Sequence, residues 1–102
     1  MNKNKLKKLR KQLEICQQSP QGRRVLVSIA KQLGREKVNH GKEPTYVNKE
    51  HPEWGPLTIP GHRGDLKPGT SRSIINALLS DVDEWEMVLD QSVKQGEEAG
   101  ND

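Results

Sequence analysis

The sequence is poor in the residues that build a large core. It contains no Phe, and aromatic residues make up only 3% of its 102 residues, with Tyr46, Trp54 and Trp85 as the whole set. Hydrophobic residues account for 30% of the chain. This length and composition predict a single domain with one thin core.

Two further absences indicate the cellular compartment of the protein. The single cysteine, Cys16, excludes an intramolecular disulfide, as is typical of a protein from a reducing compartment. No run reaches the ~18 consecutive apolar residues that span a bilayer, and no apolar stretch of signal-peptide type follows the basic first residues. We therefore expect a cytoplasmic protein that does not contact a membrane.

Charge, in contrast, is abundant and unevenly distributed. Residues 1–78 contain 16 of the 17 Lys and Arg residues and 6 of the 14 acidic residues, whereas residues 79–102 contain Lys94 and 8 acidic residues. A basic body with an acidic end is typical of a protein that meets a polyanion. Charges that segregate on a solvated surface explain the same pattern equally well.

Apolar periodicity predicts two helices in the first third of the chain. Residues 3–17 carry an apolar stripe with helical spacing, surrounded by lysines and arginines; the stripe consists of Leu6, Leu9, Leu13 and Cys16. A second stripe predicts a helix that starts with Ser19 as N-cap and Pro20 at its first position and stops at Gly34.

The middle of the chain predicts three short strands at residues 37–40, 45–48 and 57–59, because these segments alternate and contain β-branched residues between Gly and Pro punctuation. Two-residue periodicity places Leu57 and Ile59 on one face, which we expect to lie against the helices.

An apolar stripe over residues 74–79 then predicts another helix. Ser80 and Asp83 form a capping pattern that favours a separate last helix, although one long bent helix fits as well. Residues 96–102 are polar and acidic, and we expect them to be disordered.

The segment from Leu57 to Ile74 resembles the core of the HicA toxin family. In that family a strand ending in a V/I-P-x-H pattern leads into a helix with a Leu-Lys-x-Gly-Thr-x-x-Ser-Ile pattern. Here the segment reads LTIPGHRGDLKPGTSRSI, at a predicted strand-to-helix junction, and the wider resemblance covers roughly residues 22–90. A motif of this kind is informative when its structural context fits.

The resemblance implies an α+β fold like that of double-stranded-RNA-binding domains, with helices packed on one face of a three-stranded antiparallel sheet. It divides the chain into an extra basic N-terminal helix (residues 1–19), a HicA-like RNA-binding domain (20–95) and an acidic disordered tail (96–102). It also implies a toxin of a toxin-antitoxin system that cleaves mRNA without a metal or another cofactor and is inhibited by a HicB-like antitoxin protein.

The chain departs from the family at the catalytic position. Family members carry Gly-Ser-His after the first strand, whereas this chain has Lys42 and Glu43 in place of the Ser and His. His40 lies three positions upstream of Glu43, and its side chain is expected on the opposite strand face unless the turn bulges. A carboxylate can act as a base when burial raises its pKa, and a lysine can steady a phosphate. Lys42, Glu43 and His40 are therefore the candidate catalytic residues, with ordinary turn residues as the alternative.

For RNA binding, the basic residues around the strand-to-helix turn lie near the positive end of the following helix. The candidates are His62, Arg63, Lys67 and Arg72. His62 matches the family's P-x-H position and either contacts RNA or holds the turn in place.

His40, His51 and His62 are evenly spaced, but their neighbours do not repeat and no metal-ligand spacing accompanies them, so we expect no metal site. Trp54 either stacks on a base or anchors its loop on the core.

The first and last helices have complementary stripes and charges. The basic helix presents Leu6, Leu9 and Leu13, and the acidic one presents Val82, Trp85 and Leu89. We expect them to dock, either within one chain or between two copies as a homodimer.

Three functions fit these observations: an mRNA interferase with altered catalytic chemistry, an RNA-binding module without catalysis, or an antitoxin-interaction protein.

Overall fold

A computed structural model describes residues 1–19, 22–40, 43–61 and 66–101 of the chain. Over these residues it contains three helices and a three-stranded antiparallel sheet, with a short 3-10 turn at Pro52–Trp54. The elements are α1 (Lys3–Gln18), α2 (Arg23–Gln32), β1 (Arg35–His40), β2 (Glu43–Asn48), β3 (Leu57–Thr58) and α3 (Pro68–Asn101). The α+β class and the three strands are confirmed.

The first helix forms as its periodicity predicts. Its four stripe residues are all buried, with Leu13 completely inaccessible, and the side chain of Asn2 caps the helix by accepting a hydrogen bond from Lys5 N at 2.8 Å. The predicted start of α2 is wrong. Ser19 ends α1, donating its backbone N–H to Ile15 O at 2.8 Å. The N-cap of α2 is Gly22, and Pro20 lies outside the described residues.

The sheet has the order β1-β2-β3, and one of its faces is buried. Tyr46 and Leu57 are partners across β2 and β3, and Tyr46 is 2% exposed. Ile59 follows on the same face and is inaccessible to solvent. On the other face Glu36 and Thr58 are exposed, and no helix covers them among the described residues. The expected orientation of Leu57 and Ile59 toward the helices is confirmed.

The last part of the chain is one helix. The separate last helix is wrong, because α3 continues through Ser80 without interruption. Leu78 and Val82 lie on either side of Ser80 and are both fully buried, so this turn of the helix packs against the core. α3 also extends through Asn101, over most of the stretch expected to be a disordered tail. Over the described residues, no helix contains a stretch long and apolar enough to cross a membrane.

The terminal helices dock within the chain, in antiparallel orientation. Arg10 of α1 contacts Asp83 at 2.6 Å and Glu86 at 2.9 Å, and Lys3 contacts Asp90 at 3.2 Å. The leucines of α1 and Val82 of α3 belong to one core cluster, against which Trp85 and Leu89 pack. The predicted docking is thus confirmed in its intramolecular form, while a homodimer through these helices stays a prediction.

One end of the sheet is held by a buried ion pair. Arg35 donates from Nε to Asp81 Oδ2 at 2.5 Å and from Nη2 to Oδ1 at 2.8 Å. Its Nη1 donates to the carbonyl oxygens of Tyr46 and Gly55, each at 2.9 Å. Arg35 and Asp81 are each 3% exposed. We call this region, with the adjoining Trp85, the Arg35 end; its side chains join β1, β2, the following loop and α3.

Candidate nucleic-acid interface

The opposite end of the sheet is formed by the β1–β2 hairpin. His40 and Glu43 are direct partners across the ladder, next to the pair Val38 and Thr45. Direct partners share a face of an antiparallel sheet, so the expectation that these two positions lie on opposite faces is wrong. By alternation both positions continue the open face of the sheet. Their side chains, and the whole of Lys42, lie outside the described part of the chain.

The end of β3 lies directly beside the start of β2. Ile59 N donates to Pro44 O at 3.2 Å. A Cβ atom placed on Gly61 would stand 3.4 Å from both Cγ and Cδ of Pro44, so the two chain segments are in van der Waals contact. The hairpin that carries the candidate catalytic residues is thus adjacent to the first part of the family-like segment.

Arg23, at the first position of α2, completes this contact. Its Nε donates to Pro60 O at 2.5 Å, and its Nη2 lies 4.0 Å from the Cβ position at Gly61. Three elements therefore meet here, and we call the region of Arg23, Pro44, Pro60 and Gly61 the hairpin end. Sequence reasoning did not single out Arg23. The sequence shows only a basic residue near a helix start, and the partner carbonyl lies 37 residues away.

The start of α3 contributes two more basic residues. Lys67 and Arg72 are exposed, whereas Leu66 packs against the core and Ser71 is buried. Ser71 N donates to Lys67 O at 2.8 Å in the first turn of the helix. The structure therefore keeps both predicted cations at the surface, at the end of the helix where the backbone dipole is positive. The other two candidates, His62 and Arg63, lie outside the described residues.

The basic residues of α1 divide into two groups. Those that face α3 are paired, and the hydrogen bonds of Arg10, first to Asp83 and then to Glu86, raise the pKa of its guanidinium. The second group is exposed and has no ion-pair partner among the described residues; it consists of Lys5, Lys7, Lys8 and Lys11. The charge of α1 thus serves both internal docking and an outward-facing positive surface.

The two tryptophans lie together with His51 at the Arg35 end. The rings of Trp54 and His51 stack with centroids 4.2 Å apart, and Trp85 meets both edge-on at 5.3–5.4 Å. Trp85 Nε1 also donates to Leu33 O at 2.7 Å. This arrangement matches the interpretation of Trp54 as a loop anchor.

Cys16 is 4% exposed, and burial raises the pKa of its thiol. It therefore stays protonated near neutrality, as its interpretation as a packing residue requires. The described residues contain no group of three His, Cys, Asp or Glu side chains able to hold a metal ion.

Comparison with known proteins gives no relative: no family model, no curated protein and no solved structure matches this chain.

Proposed function

We propose that this chain is a HicA-like toxin that binds mRNA at its hairpin end and cleaves it without a metal. One observation carries the binding part of the proposal. The hairpin, the end of β3 and the start of α2 meet through Pro44, Gly61 and Arg23. This meeting point brings the hairpin, where the family has its catalytic residues, beside the segment that carries the resemblance, although the two are separated along the chain.

The cations of α2 and of the start of α3, which this proposal assigns to one surface, favour a polyanionic ligand. Lys67 and Arg72 are exposed at the start of α3, and Arg23 uses only its Nε in the contact with Pro60. Several cations that contact phosphates give affinity without sequence choice and a strong dependence on salt. Recognition of RNA by shape needs no aromatic platform, which agrees with an aromatic cluster that is engaged in packing elsewhere.

Cleavage needs a base for the 2′-hydroxyl and an acid for the leaving oxygen. In this proposal Glu43 takes the proton of the 2′-hydroxyl, Lys42 steadies the phosphate, and protonated His40 gives its proton to the leaving 5′ oxygen. The direct pairing of the His40 and Glu43 positions supports joint action, because the two residues occupy neighbouring places on one face.

The replacement of the family's catalytic His by another residue favours a second function. With Glu43 where the family has His, the chain can bind RNA, or a HicB-like antitoxin, without cleaving RNA. Both functions use the same basic surface, so binding and cleavage must be measured separately.

The test of catalysis is incubation of the purified chain with a labelled single-stranded mRNA in EDTA, beside a Glu43→Gln variant. Cleavage by the natural chain and not by the variant supports the interferase. RNA that shifts in a gel but stays intact supports the binding module.

The test of the site uses two charge-neutralising double variants. Lys67→Gln/Arg72→Gln removes two cations at the proposed surface, and Lys31→Gln/Lys49→Gln removes two exposed cations at the Arg35 end. The first variant should weaken RNA binding and reduce the slope of log affinity against log salt by about 1.4. The second should change both quantities little. Equal losses in the two variants would refute the assignment of the start of α3 to the RNA-binding surface.

A further inference from the structure

A groove runs between α1 and α2, on a surface that the proposed RNA site does not use. Ile15 of α1 and Val25 of α2 line it and are 50% and 37% exposed. Cys16 and Ile29 also line it and are buried. Among the described residues only four large apolar side chains are exposed, and two of them meet in this groove. Exposed apolar side chains that lie together in a groove are typical of a surface that contacts an apolar partner.

The surroundings of the groove are basic. Arg24 lines it directly, and none of its lining residues is acidic. Lys11 lies four residues before Ile15, and Lys8 lies four residues before Gln12, which also lines the groove. Residues four apart are neighbours on a helix surface. Lys8, Lys11 and Arg24 are exposed and have no ion-pair partner within the described ranges.

We propose that this groove binds an acidic amphipathic helix of a partner protein. The apolar stripe of such a helix covers Ile15 and Val25, and its flanking carboxylates meet the unpaired cations on both sides. This is the helix-in-groove mode, in which apolar anchors recur at helical spacing. The proposal is independent of RNA binding at the hairpin end.

Two other occupants fit the groove less well. A phosphate backbone matches the cations but offers nothing apolar to Ile15 and Val25. A second copy of this chain has its acidic helix α3 already engaged, since Asp83, Glu86 and Asp90 pair with α1 of their own chain.

The test uses a fluorescein-labelled peptide about as long as α1, with Leu at helical i, i+3, i+4, i+7 spacing and Glu at most other positions. A peptide of the same composition in scrambled order is the control for charge alone. Fluorescence anisotropy is measured with the full chain and with an Ile15→Ser/Val25→Ser variant. These substitutions replace exposed side chains and therefore preserve the fold.

We expect the patterned peptide to bind, the scrambled peptide to bind more weakly, and the double variant to lose about tenfold or more in affinity for the patterned peptide. Met87→Ser, which removes an apolar side chain that is 57% exposed on α3, is the matched control and should bind like the natural chain.

Several outcomes overturn the proposal. They are no binding of the patterned peptide, equal binding of both peptides, and unchanged affinity of the Ile15→Ser/Val25→Ser variant. A loss of single-stranded RNA binding in this variant would make RNA the occupant. Self-association of the natural chain in sedimentation that disappears in the variant would make a second copy the occupant.

Discussion

At the Arg35 end of the sheet a buried arginine is bonded inside the protein, whereas the two described cations at the start of α3 are exposed. Arg35 makes four internal hydrogen bonds and is 3% exposed. Lys67 and Arg72 are exposed and have no ion-pair partner in the part of the chain that the structure describes. Basic side chains thus stabilise the fold at the Arg35 end and remain available to a ligand at the start of α3.

The contrast between these regions also predicts where substitutions should matter. Buried charges that lose their partner are costly, whereas exposed charges contribute little to folding. Changes at the Arg35 end should therefore alter stability more than RNA affinity, and changes at the hairpin end should do the reverse.

Deletion of residues 2–18 should have the largest effect on stability, because it removes α1, which forms one side of the hydrophobic core. Leu6, Leu9 and Leu13 are almost fully buried, and each buried leucine contributes about 1.5–3 kcal/mol. A domain of this size is stable by only about 5–15 kcal/mol. We expect the truncated chain to lose cooperative unfolding and to show red-shifted Trp emission.

A Lys7→Gln/Lys8→Gln variant is the control for this deletion, since it removes charge and leaves the apolar stripe intact. An unchanged emission spectrum in the truncated chain would mean that α1 does not support the environment of Trp85.

Breaking the buried ion pair should have the next largest effect. Arg35→Met leaves Asp81 buried without its partner, which costs about 3–5 kcal/mol of unfolding free energy. Urea denaturation followed by circular dichroism measures it. Arg35→Met/Asp81→Leu removes both charges and should recover much of the loss. If the single variant is as stable as the natural chain, the ion pair does not hold this end of the sheet.

This ion pair also shows the limit of prediction from the sequence. The stripes of α1 and α2, the three strands and the docking of the terminal helices follow from local periodicity and charge, and these predictions are confirmed. The role of Arg35 does not follow, because a charged residue at a strand start is typical of a surface and Asp81 lies 46 residues away.

One local signal was overridden for a physical reason, and one functional residue had no local signal. The capping pattern of Ser80 and Asp83 predicts a helix start, but Asp83 pairs with Arg10 and Asp81 turns inward to Arg35. At the start of α3 the sequence predicts Lys67 and Arg72 as surface cations, and both are exposed. Arg23 was missed because its position depends on the carbonyl oxygen of Pro60, which only the tertiary fold brings near.

A smaller loss of stability is expected for Trp85→Phe. The substitution keeps most of the ring packing but removes the donor to Leu33 O, so a carbonyl group at the end of α2 loses its partner. The expected cost is about 1–2 kcal/mol of unfolding free energy, measured in urea. Trp54→Phe is the matched control, because it leaves the Leu33 hydrogen bond in place. Equal losses in both variants would assign the effect to ring packing.

The smallest effect on stability is expected for a substitution of Arg23. This substitution also distinguishes most clearly between the Arg35 end and the hairpin end. Arg23→Met keeps a long side chain and removes one half-buried hydrogen bond to Pro60 O, at a cost of about 0.5–1.5 kcal/mol. The same variant removes a cation from the hairpin end, so RNA affinity should fall and the salt slope should decrease by about 0.7. Parallel urea and RNA-binding titrations of Arg23→Met and Trp85→Phe test this directly. If Arg23→Met destabilises the fold as much as Trp85→Phe and leaves RNA binding unchanged, Arg23 belongs to the structural scaffold and the contrast between the two ends fails.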